Sequence, residues 1–285
     1  MRRDWGILEG MWRLHRFRSL VGAALLLLAP VSPAAARGEV DVALVLAVDV
    51  SRSMSSEELQ IQRRGYAAAI SSPEVVRAIG MGVHGRIALM MFEWANDGHA
   101  REIVPWSVVE TDADARGFAE KVLADKTYGQ RRTSISGAIR HASALLAEVP
   151  FAADRFVIDI SGDGPNNQGI PVTHARDDAI ASGYVINGLP LMTRGGAGFQ
   201  FNIPDLDEYY RRCVIGGPAS FVIPVVDWAQ FPDAVRRKLI LEIGGRVPPE
   251  PARVIPAQIT FGEPYDCMIG EKIWQRLREQ YFWDP

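Results

Sequence analysis

The chain has 285 residues, 48% apolar and 23% charged, with 31 Lys plus Arg against 34 Asp plus Glu for a net charge of −3. These values lie near the globular average and exclude a disordered, collagenous or coiled-coil chain. A pI near 6.0 without a Lys/Arg run argues against general nucleic-acid binding, and two cysteines, Cys213 and Cys267, cannot make a disulfide scaffold or a four-thiolate zinc site.

The start of the chain reads as an export signal. Leu20 to Ala29 is an uninterrupted apolar run, preceded by Arg13, Arg16 and Arg18 and followed by Ala34-Ala35-Ala36, an A-x-A cut. The run is about half of the roughly 20 residues that a membrane span needs, so a leader over residues 1–36 is predicted and a stable membrane anchor is not. Cleavage after Ala36 removes five Arg and two acids, which takes the net charge from −3 to −6. The predicted location is the periplasm or the cell exterior, an oxidising setting in which Cys213 and Cys267 can pair.

Beyond the leader, strand and helix patterns alternate. Asp41 to Val48 is a continuous apolar run, as expected of a strand buried on both faces, and Glu57 to Ile70 reads as a helix. Arg86 to Trp94 and Glu102 to Val109 are strands joined by the turn Ala95-Asn96-Asp97-Gly98; Pro105 places the second at an edge. Helices are predicted over Asp112 to Ala124 and Ser134 to Val149.

Arg155 to Ile160, Tyr184 to Leu191 and Phe221 to Val226 continue the strands, with helices from Pro171 to Ser182, Asp205 to Arg212 and Phe231 to Ile243. This order predicts an α/β fold: an open, mostly parallel, Rossmann-like six-stranded sheet with helices on both faces and one antiparallel edge strand. It forms one domain over 39–245. Arg246 to Pro256 carries four Pro and reads as a stiff linker, and the tail 257–285 contains a short helix with Ile273, Trp274, Leu277 and Tyr281 on one face. That helix is expected to dock on the domain; the rival reading is a partner-binding helix.

Chemistry concentrates at the strand ends. Asp49-Val50-Ser51-Arg52-Ser53 follows the first buried strand, Thr133 opens a helix, and Asp163 follows another buried strand in Ile160-Ser161-Gly162-Asp163-Gly164. In an open parallel sheet the carboxyl ends of the strands share one edge, where ligands bind. Thr133 reaches that edge because the antiparallel strand runs the chain to the far side and the next helix carries it back. Two carboxylates and three hydroxyls, with no Cys or His, form an all-oxygen site suited to Mg²⁺ or Mn²⁺. Each residue alone also reads as an ordinary cap or turn: Ser53 or Ser55 for the first helix, Thr133 for the next, Asp163 in a turn.

Asp49, Ser51, Ser53, Thr133 and Asp163, in this order, resemble the metal-ion-dependent adhesion site (MIDAS) of von Willebrand factor type A (vWA) domains, over about Glu39 to Gly245. Ile160 to Asn167 and Cys213 to Pro218 resemble an exported bacterial branch, a domain of unknown function. The resemblance implies vWA architecture, direct metal binding by Ser51, Ser53 and Thr133, and water-mediated roles for Asp49 and Asp163. It also implies a partner protein whose Glu or Asp completes the metal shell. Two departures stand out. Gly162 is inserted before Asp163, leaving Asp163 and Asp159 as rivals to face the metal, with Asp163 fitting the loop better. Arg132 stands where a Gly often precedes the Thr.

The expected function is therefore non-enzymatic: metal-dependent protein binding, with no evident nucleophile and base pair. The alternatives are a Mg²⁺-dependent phosphoesterase and a metal site that only stabilises the domain. Phe199, Phe201 and Trp228 either rim a partner surface at the same edge or pack inward. Glu93 approaches the site or serves a turn. His84, His99, His141 and His174 show no paired metal spacing.

Overall fold

Strand β2 (Ala43–Asp49) is buried at every position, as its run of Ala, Leu and Val requires: neither face can be left to water. In the computed structural model, which describes residues 38–124, 126–193, 203–245 and 265–282, this strand is the centre of the sheet. It pairs in parallel with β3 (Ile87–Trp94) on one side and β6 (Phe156–Gly162) on the other. Beyond β6 lies parallel β7 (Val185–Pro190), and beyond β3 lies antiparallel β4 (Ala100–Val109), giving the order β4-β3-β2-β6-β7. At the far end of β2, β1 (Glu39–Val40) and β5 (Ala152–Ala153) form a separate parallel pair.

Alternate side chains of the central strand serve opposite faces. Val42, Leu44, Leu46 and Val48 pack with α1 (Ser56–Ile70), α2 (Pro73–Gly80), α3 (Asp112–Ala124) and α7 (Phe231–Gly244). Ala43, Val45 and Ala47 face α4 (Ile135–Ala147), α5 (Val172–Ala181) and α6 (Leu206–Tyr209). Gly245, in the left-handed region at φ 61°, ends α7, and Arg155 donates to the terminal carbonyls of Glu242 and Ile243 at 2.7 and 2.6 Å.

The expected sixth strand is a correction: the main sheet has five strands. Phe221 to Val226 runs beside β7 but meets it only through isolated bridges, Gly188 with Val222 and Leu191 with Val225. Pro190 and Pro224 lack the N–H groups a continuous ladder needs. The helix α2 was not expected from its short pattern, although Ser72 caps it and Pro73 starts it. The helix expected over Asp205 to Arg212 is a short α6 running into a π-helical turn, Tyr210–Val214.

Cys213 of that turn is disulfide-bonded to Cys267, with Cα atoms 5.5 Å apart, and so ties down the tail helix α8 (Ile269–Phe282). No described helix is long and apolar enough to cross a membrane. The leader 1–36, the Pro-rich segment 246–256, Phe199 and Phe201 lie outside the described residues.

Candidate metal site

Because β2 and β6 are parallel neighbours, their last residues share one edge, and the loops after them meet there. Asp49 Oδ1 accepts the Ser51 amide at 2.7 Å and its Oδ2 accepts the Ser51 hydroxyl at 3.0 Å. Ser51 Oγ lies 2.8 Å from Ser53 Oγ, and both hydroxyls reach Asp163 Oδ1, at 3.3 Å from Ser51 and 2.7 Å from Ser53. Helix capping does not consume these groups. Ser55 caps α1 through a reciprocal box with Glu58, and Ser134 caps α4 by accepting the Gly137 amide at 3.1 Å.

Thr133 is held at the same edge by its backbone. Three residues earlier, Gln130 exchanges bonds with the loop after β2: its amide donates to Val50 O at 2.8 Å, and its carbonyl accepts from Arg52 N at 2.7 Å. Arg132 then takes the left-handed region at φ 79°, a conformation that glycine adopts most readily. The Thr133 amide donates to Asn167 Oδ1 at 3.0 Å, and the Asn167 amide returns a bond to Thr133 O at 2.8 Å. Asn166 Oδ1 accepts the Ser136 amide at 3.0 Å. Asn166 and Asn167 thus lash the Thr133 loop to the Asp163 loop, a structural duty that a turn-forming pair does not advertise in sequence.

The electrostatics follow from burial. Asp49 is fully buried, and desolvation, then the charge of Asp163, raise its pKa well above the usual value against the lowering bonds from Ser51. Burial likewise raises Asp163 to about 6, opposed by the hydroxyls of Ser53 and Ser51. Among the described residues no Lys or Arg pairs with either carboxylate. Two neighbouring acids that share hydroxyl donors and lack a cation fit a hard divalent ion, and the donor set is oxygen throughout.

Gly162 makes this approach possible. A Cβ there would lie 2.9 Å from Tyr210 Oη, 3.0 Å from Asp49 Oδ2 and 3.3 Å from the Trp94 ring. Asp159 points elsewhere: it is fully buried with Lys238 Nζ at 2.8 Å, and Lys238 also binds Glu242 on its own helix. Asn187 Nδ2 donates to Glu242 at 3.0 Å. Burial lifts Glu242 to about 7, with Lys238 pulling it down and Asp159 pushing it up. Asp163, not Asp159, therefore faces the other site residues.

Glu93 belongs to a different cluster. It accepts from Arg63 at 2.6 Å, Arg101 at 2.8 Å and the Thr127 hydroxyl at 2.6 Å, anchoring the loop that leads to Thr133. Trp228 sits half-buried against Phe231, ring centres 5.4 Å apart, with its indole N–H donating to Glu58 at 2.8 Å. His141 packs edge-on against Phe92. At the opposite edge of the sheet, folding gathers Asp41, His84 and Asp154 so that one ligand atom of each lies within 4.8 Å of the others. No spacing in the sequence reveals that group. Asp41 there already accepts the amides of His84 and Arg86, at 2.9 and 3.3 Å.

No curated protein matches the chain. Among solved structures it is similar to proximal thread matrix protein 1 of the mussel byssus, at 13% identity and a TM-score of 0.52 over 73% of this chain and 49% of that one. A form of the mussel protein with a zinc-occupied MIDAS motif aligns at 13% identity and a TM-score of 0.50, over 73% and 48% of the two chains. A von Willebrand factor type A protein from Catenulispora acidiphila aligns at 14% identity and a TM-score of 0.52, over 72% and 43%. The chain spans less than half the length of each of these structures. At such identities the likeness speaks for the fold, which is that of a vWA domain. A family model described as "Protein of unknown function (DUF1194)" matches residues 39–247, and the chain belongs to that family.

Proposed function

We propose that this is an exported, non-enzymatic binding protein that holds a divalent cation at Asp49, Ser51, Ser53, Thr133 and Asp163 and uses it to engage an acidic side chain of a partner protein. The observation that carries the reading is the convergence of Asp49 and Asp163 on the shared hydroxyls of Ser51 and Ser53 with no basic side chain among the described residues to neutralise them. Mg²⁺ or Mn²⁺ suits this donor set best. A bound ion would supply a Lewis-acidic position for a carboxylate oxygen of the partner. The zinc-occupied MIDAS motif of the mussel protein supports the metal assignment by analogy of fold. Export is supported by the leader pattern and by the Cys213–Cys267 disulfide, which belongs to an oxidising compartment.

Both Ser hydroxyls are engaged with carboxylates, and neither bonds to an imidazole, which supports binding over nucleophilic catalysis. The test is calorimetric titration of the mature protein with Mg²⁺, Mn²⁺ and Zn²⁺, beside Asp49→Ala. Saturable binding lost in the variant is expected. Partner capture from periplasmic extract that ignores both EDTA and Asp49→Ala would sink the recognition role.

A further inference from the structure

The tail helix α8 lies outside the matched family region, yet it reaches the candidate site. Glu271 Oε1 accepts from Asn166 Nδ2 at 2.7 Å, and Asn166 is fully buried. A carboxylate without its proton can only accept, so Glu271, with the Ile170 carbonyl that accepts from the same nitrogen at 3.3 Å, holds the Asn166 amide with its nitrogen toward the tail and its oxygen toward the Ser136 N–H. One turn further along, the Trp274 ring stacks on the Arg132 guanidinium at 3.5 Å from the ring centre. Arg132 is the left-handed residue immediately before Thr133.

The docking is close. A Cβ on Gly270 would lie 2.0 Å from the Asn166 carbonyl oxygen, so only glycine lets the helix sit here. Cys267, three residues earlier, ties the start of the helix to Cys213. Gly270, Glu271 and Trp274 therefore grip the residues that flank Asp163 and Thr133.

We propose that α8 is a positioning element of the candidate site, with Glu271 orienting Asn166 and Trp274 bracing Arg132 so that the two loops bearing Asp163 and Thr133 keep their register. The metal consequence rests on the function proposed above; the loop positioning does not. Partners that orient metal ligands from outside are worth about 10- to 100-fold in affinity, and Glu271 acts one step further out, which places its effect near the lower end, about tenfold.

The experiment uses the mature full chain. Mn²⁺ affinity is measured by calorimetry, and amide hydrogen exchange is followed in EDTA at Thr133 and Ser136, with Val45 of the central strand as the reference. Glu271→Ala is expected to weaken Mn²⁺ binding about tenfold and to speed exchange at Thr133 and Ser136 by a similar factor, with Val45 unchanged. Glu271→Gln keeps the acceptor oxygen and should retain wild-type behaviour in both. Trp274→Ala, which leaves Asn166 untouched, should shift both readouts in the same direction as Glu271→Ala. Wild-type exchange at Thr133 and Ser136 in Glu271→Ala and Trp274→Ala overturns the proposal, as does a Glu271→Gln variant as impaired as Glu271→Ala. If the wild-type protein binds no Mn²⁺, the metal reading falls and the exchange arm alone decides on positioning.

Discussion

Ser53 donates its hydroxyl proton to Asp163 Oδ1 at 2.7 Å, joining residues 110 positions apart in the chain. The bond spans the crevice between two neighbouring strand ends, and it directs a buried carboxylate toward a second one at Asp49 instead of toward a basic side chain. Ion binding, pH response and stability are therefore coupled at one place.

Metal binding should weaken on acidification through two buried carboxylates: Asp49, whose pKa burial raises well above the usual value, and Asp163. That of Asp163 is raised to about 6 by burial, and the ion must displace any proton held there. Mn²⁺ affinity is expected to be weaker at pH 5 than at pH 7.5, read by titration calorimetry. Equal affinity at both values would remove Asp163 from the ligand set.

Without metal, the same carboxylate should weaken the fold. Its folded pKa lies above the ordinary carboxylate range, so the native state holds the proton more tightly than the unfolded chain does. Stability from this group is greatest below the unfolded value and is lost as pH rises toward about 6. In EDTA at pH 7.5, Asp163→Asn should melt higher than wild type while no longer binding Mn²⁺, and the advantage should shrink at pH 4. Thermal unfolding of the pair at both pH values checks the sign.

Gly162→Ala should harm both stability and ion binding. The added methyl meets Asp49 Oδ2, Tyr210 Oη and the Trp94 ring, none with open space behind it. Overpacking of this kind costs about 1–3 kcal/mol, measurable as a lowered urea midpoint with unchanged slope. Gly164→Ala is the control, since nothing lies within 4 Å of a Cβ there.

Lys238→Met should be among the most damaging single changes in the core. It leaves Asp159 and Glu242 buried without their shared ammonium, a loss of about 3–5 kcal/mol. Glu242 carries a pKa near 7, so its proton is retained on acidification and the penalty should be smaller at pH 5 than at pH 8. Denaturant unfolding at the two pH values tests this. A pH-independent loss would mean that Glu242 does not hold the compensating proton.

The parallel core, the antiparallel edge and the meeting of Asp49, Ser51, Ser53 and Asp163 were legible in the sequence because they follow from strand order alone: alternating β and α segments put Asp49 and Asp163 at one edge. What was not legible depends on contacts between distant positions. Asn166 and Asn167 read as turn formers, yet their bonding partners Ser136 and Thr133 lie 30 and 34 positions away. Glu93 is a buried strand residue whose partners come from a helix, a strand and a loop. The Phe221 to Val226 run has strand-like side chains, but its own Pro224 and the facing Pro190 remove ladder donors. His84 meets Asp41 and Asp154 only after β1, β3 and β6 have been brought together.

The short β1–β5 pair sets a direction. Glu39 is joined to Ala152 just ahead of β6, at the end of the sheet where β2 begins, whereas Asp49 stands where β2 ends. The seven residues of β2 separate those ends by about 20 Å at about 3.3 Å per residue. A biotin group or surface linker attached just ahead of Glu39 would thus leave the crevice at Asp49 and Asp163 facing solution, the orientation an immobilised capture assay needs.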